Sequence, residues 1–89
     1  MTRTRTIRFK SDAVYTGHTA LEIVEQMRQA AFDPPPTVRD YVRDATERAS
    51  IFFSVTLRLD PQQGTEEEMA EAFLSESIRV GFAWEENVS

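Results

Sequence analysis

The chain has 89 residues, no cysteine and a formal net charge of −5, and hydrophobic side chains make up 40% of it. That size and apolar content fit one domain around one core, spanning 1–89 with frayed ends at 1–3 and 86–89, and exclude general disorder. The absence of cysteine excludes a disulfide framework, a thiolate metal site and a cysteine nucleophile within the chain.

The longest strictly apolar run of large side chains, Ile51-Phe52-Phe53, is far short of a membrane span. No apolar stretch follows the basic start as a secretory signal requires, so the expectation is a cytoplasmic protein with no membrane contact. Charge is unevenly spread. Residues 1–10 carry four basic and no acidic side chains, whereas residues 45–89 carry three basic and nine acidic ones. An acidic body disfavours non-specific contact with nucleic acid or anionic lipid.

In Arg5-Thr6-Ile7-Arg8-Phe9-Lys10, Ile7 and Phe9 alternate with Arg8 and Lys10, the two-residue period of a strand with one wet side. Ser11-Asp12 favours a turn, and residues 13–17 read as the return strand. A two-residue loop would set Phe9 opposite Val14 and Arg8 opposite Tyr15; one residue more exchanges the faces.

Residues 20–32 follow as a helix. Ala20, Ile23, Val24, Met27 and Ala31 form its apolar stripe, and Thr19 caps it with Glu22 reaching back in a capping box. Asp33-Pro34-Pro35-Pro36 ends it, because proline lacks an N–H and pushes its predecessor out of the helical region. The run is too short for a polyproline ligand and reads as a rigid connection.

Thr37 starts a second helix over 37–53, with Val38, Tyr41, Val42, Ala45, Ala49 and Phe52 on one side and a mixed-charge outer face on which Asp44 is expected to pair with Arg48. Val55, Leu57 and Leu59 then alternate with Thr56 and Arg58, predicting a strand over 55–59. Asp60 to Gly64 is a turn without the glycine order of a phosphate loop. Thr65 and Glu68 form the clearest capping box, opening a helix over 66–80 whose first turn carries three glutamates. Gly81 can stop it in a left-handed conformation, leaving a short apolar tail through Trp84.

The predicted fold is α+β: a small, mostly antiparallel three-stranded sheet in two layers with three helices, in the order β-β-α-α-β-α. Chemistry is sparse. His18, the only histidine, lies beside a helix start with Ser11 and Thr19 as the nearest nucleophiles, in no recognisable motif. Glu66, Glu67, Glu68 and Glu71 lack the alternating ligand order of a calcium loop. Accordingly, no catalytic residue, cofactor or metal is expected.

Two surfaces carry the remaining signals. Phe82 and Trp84 are large aromatic residues near a terminus and form the candidate protein interface. Arg3, Arg5, Arg8 and Lys10 lie on the basic strand and form the candidate nucleic-acid contact, against which stands the opposite charge of the body. The resulting expectation is a non-enzymatic interaction or accessory module acting on a protein partner or a second copy of itself. A nucleic-acid-associated protein and a small enzyme with a site near His18 are the alternatives.

Overall fold

A computed structural model describes residues 4–60 and 62–86 of the chain. Two strands, β1 (Arg5–Phe9) and β2 (Val14–Gly17), precede three helices, α1 (Ala20–Ala30), α2 (Val38–Phe53) and α3 (Glu66–Arg79), and a last strand, β3 (Ala83–Glu86). The fold is α+β, as expected, with one fully antiparallel sheet in the order β2-β1-β3.

The third strand comes from a different segment than the sequence pattern indicates. Residues 55–60 form no regular element, and Leu57 is buried while Thr56 and Arg58 are exposed, so the alternation is real. No strand lies beside them. Their backbone is held by α3 side chains instead: the Arg58 N–H donates to Glu76 Oε1 (2.6 Å), and Arg79 Nη2 donates to the Thr56 carbonyl (3.2 Å). A two-residue period reports extended backbone over an apolar surface, and here that surface is a helix. The third strand is Ala83–Glu86, so the element order is β-β-α-α-α-β. Glu86 closes that strand rather than fraying; the other end residues expected to fray, 1–3 and 87–89, lie outside the described residues.

The path into β3 is set by Gly81. Val80 caps α3, Gly81 adopts φ 88°, its N–H donates to the Ile78 carbonyl (3.1 Å), and the Phe82 N–H donates to the Ser77 carbonyl (2.9 Å). This pair of bonds is the Schellman arrangement, which satisfies the last carbonyls and reverses the chain. The chain then runs antiparallel to β1, with Arg8 opposite Trp84 and Phe9 opposite Ala83.

The hairpin takes the longer loop. Phe9 pairs with Ala13, Asp12 sits at φ 73°, and Ile7 stands opposite Tyr15 and Arg8 opposite Val14. A three-residue loop ending in a left-handed residue is a standard hairpin closure, and aspartate tolerates that conformation. Tyr15 therefore shares the helix-covered face with Ile7, and its ring meets Phe9 edge-on at 5.9 Å.

Helix starts follow the sequence closely. Thr19, Thr37 and Thr65 each accept from the backbone N–H three residues on, and the Thr65–Glu68 box is complete in both directions. At α1 the reciprocal bond lands one residue early, on the His18 N–H (2.6 Å to Glu22 Oε2). Helix α1 ends at Ala30, two residues before the predicted end, and Phe32 projects fully into solvent. Arg28 ties the proline link back by donating to the Pro35 carbonyl (2.8 Å).

Helix α1 lies against β2, α3 lies against β3, and α2 packs on both helices. The core comprises Ile7, Ile23, Val24, Met27, Val38, Val42, Leu57, Met69, Phe73 and Leu74 with four alanines. Among the described residues the one buried polar side chain, Ser77, donates to the Phe73 carbonyl (2.8 Å). The opposite face of the sheet carries no helix.

Candidate protein-docking site

Helix α2 outruns the layers that cover it. Its stripe is buried at Val38, Val42 and Ala49, but the last turn is not: Ile51, Phe52 and Phe53 are 72%, 71% and 64% exposed. Three large apolar side chains on one exposed helical turn form a patch of the kind that marks interaction surfaces. The sequence pattern assigns Phe52 to the core stripe; burial stops one turn earlier because neither the sheet nor α3 extends over it. Run length and period locate this turn in the chain but do not report what covers it.

Phe53 joins this ridge to a cleft. Its ring meets Phe82 edge-on at 5.1 Å, and the two rings line, with Phe9, Lys10 and Ser11, an apolar cleft of about 370 Å³. A second depression of about 190 Å³ shares Phe9, Phe53 and Phe82 and reaches Arg48, Tyr41 and Leu57. The Schellman turn aims Phe82 here, because it places that residue beside the end of α2 before the strand begins. Burial pushes the Tyr41 hydroxyl pKa upward, consistent with its ring packing on Phe73 at 6.4 Å.

The two residues expected to form the interface are thereby separated. Phe82 is half-buried in the cleft, whereas Trp84 belongs to β3 and alternates with buried Ala83 onto the open face of the sheet, where it is 45% exposed opposite Arg8. Both sheet edges are only four residues long. On β2, Gln26 Nε2 donates to the Thr16 carbonyl (2.7 Å) and occupies part of the edge. On β3, the pairing with β1 leaves the backbone groups of Ala83 and Glu85 directed outward.

The basic strand is drawn into the protein itself. Arg5 donates to both carboxylate oxygens of Glu85 (3.2 and 3.0 Å) and to Glu71 (2.7 Å), bridging β1, β3 and α3; these carboxylates hold its pKa further above the usual arginine value. Arg8 pairs with Glu86. Lys10 is exposed at the cleft rim, and Arg3 lies outside the described residues. The strand that looks free in the sequence is thus neutralised across the sheet by the acidic C-terminal strand.

His18 is exposed at the start of α1, and the contact its position makes is the backbone bond to Glu22. Among the described residues no three His, Asp or Glu side chains come together as a metal site would need. Among the described residues no helix is long and apolar enough to cross a membrane. Comparison with known protein families, with characterised proteins and with solved structures returns no match for this chain.

Proposed function

We propose that this protein is a small non-enzymatic interaction module that docks a protein partner through the end of α2. The observation that carries the reading is the exposure of Ile51, Phe52 and Phe53 together, continuous with the Phe9–Phe53–Phe82 cleft. Leaving roughly 400 Å² of apolar side chain wet on so small a domain is costly, and covering it in a complex recovers that cost. Trp84 and the β3 edge form a separate, smaller surface. The basic strand is a weaker basis for nucleic-acid contact, because Arg5 and Arg8 already have carboxylate partners.

Phe52→Ser tests the assignment, since Phe52 is exposed and its removal leaves the core intact. The variant is expected to keep the wild-type denaturant midpoint while losing self-association in sedimentation and losing cross-linked partners recovered from the source cells. Unchanged association with an unchanged midpoint would remove the α2 ridge from the interface.

A further inference from the structure

The charges beside the ridge point to what covers it. On the outer face of α2, Asp40 and Asp44 both pair with Arg43 (3.2 and 3.5 Å). Asp44 is the partner that sequence spacing offers to Arg48, and Arg43 takes it. Among the described residues Glu47 and Arg48 therefore have no ion-pair partner, whereas Asp40, Arg43 and Asp44 are engaged in such pairs. Being adjacent, Glu47 and Arg48 point about 100° apart on the helix and do not face each other. Glu47 lies one turn before Ile51, and Arg48 lies one turn before Phe52. Two parallel rows result, one acidic and one basic at the base, both apolar at the tip.

Resting on the docking role of this ridge, we infer that its occupant is a second copy of the same chain. A two-fold axis running alongside α2 places the two helices parallel, so each level of one helix meets the same level of the other. The left flank of one helix then meets the right flank of its partner. Ile51 packs on the partner's Phe52 and Phe52 on the partner's Ile51, while Glu47 pairs with the partner's Arg48 and Arg48 with the partner's Glu47. One operation covers Ile51 and Phe52 and neutralises both rows. An acidic foreign segment would neutralise Arg48 and Lys10 but stand against Glu47, and a basic one would stand against Arg48. The self-complementary pattern is matched without such a conflict by the same pattern on another copy. Ile51 and Phe52 supply roughly 250 Å² of apolar area per copy, about a third of one side of a standard interface, and the charged rows extend it.

Sedimentation equilibrium of the full chain over a range of concentrations, with Glu47→Arg, Arg48→Glu and the doubly reversed chain alongside wild type, tests the inference. Each single reversal replaces two attractive contacts by two repulsive ones and is expected to weaken the dimer roughly tenfold. Reversing both residues recreates the pairs with exchanged signs and is expected to restore dimerisation to within about twofold of wild type. Denaturant midpoints of all four chains should agree, since the sites are exposed. Reversals without effect on a dimer that Phe52→Ser dissociates would overturn this pairing and leave the docking surface standing. A wild-type chain that stays monomeric throughout would overturn the inference; cross-linked partners lost on Phe52→Ser would then still uphold docking to a different protein.

Discussion

Glu76 joins the last turn of α3 to the segment that precedes the helix. It accepts from Arg79 Nε and Nη2 (3.0 and 2.9 Å) and from the Arg58 N–H (2.6 Å), so it ties the last turn of α3 to the 55–60 segment. Arg79 first, and then the Arg58 backbone, hold its carboxyl below the usual range. Glu25 is lowered in the same direction by Arg28, and Glu68 by the Thr65 backbone N–H and hydroxyl. These carboxylates bind protons less readily in the folded chain than in the unfolded one. Their stabilisation is complete above the unfolded carboxyl value, about 4.3, and disappears as pH falls through the lower folded values. The denaturant midpoint should therefore fall on acidification below about pH 4.3, and Glu76→Gln should make that fall shallower. An acid limb identical to wild type would mean that Glu76 contributes nothing as an anion.

Among the elements, the end of α2 is the most strained. Three of the described non-glycine residues have positive φ: Asp12 at 73°, Asp33 at 58° and Ser54 at 54°. Aspartate visits the left-handed region more readily than most residues, but serine has no such tolerance. Ser54 stays there because its N–H and that of Val55 both reach the Ala49 carbonyl and close the helix. Glycine at this position relieves a conformational cost of about 1–2 kcal/mol and gives back part of it as unfolded-chain entropy. Ser54→Gly is thus expected to stabilise the protein by about 0.5–1 kcal/mol, read as a higher denaturant midpoint; a lower one would contradict the strain assignment. The same end shows where sequence reading stops. Caps at Thr19, Thr37 and Thr65, the stop at Gly81 and the faces of Ile7, Met27 and Val42 are legible because each depends on neighbours within about one turn. The choice between residues 55–59 and 83–86 as the third strand depends on which segment reaches the free edge of β1. That is decided by the Schellman reversal and by Arg5 and Arg8 meeting Glu85 and Glu86, nearly the whole chain apart. The candidate site was legible only at Phe82. The exposure of Ile51 and Phe52 is a matter of which layer fails to cover them, and no local period carries that.

At the scale of the whole molecule, the helices cover one face of the sheet, the acidic C-terminal strand neutralises the basic N-terminal one, and the apolar surface left over gathers at the end of α2. Phe32, which is fully exposed, precedes the opposite end of α2, a helix of 16 residues or about 24 Å, and is no part of that surface. The small size of the protein makes the central claim directly accessible. Backbone amide chemical shifts recorded on serial dilution report which residues change environment as association is lost. The shifts that move are expected to cluster at Glu47 to Phe52, with Val14, Thr16 and Trp84 unmoved. Movement concentrated at Trp84 and along Ala83–Glu86, with the last turn of α2 silent, would place the interface on the sheet and contradict the assignment to α2.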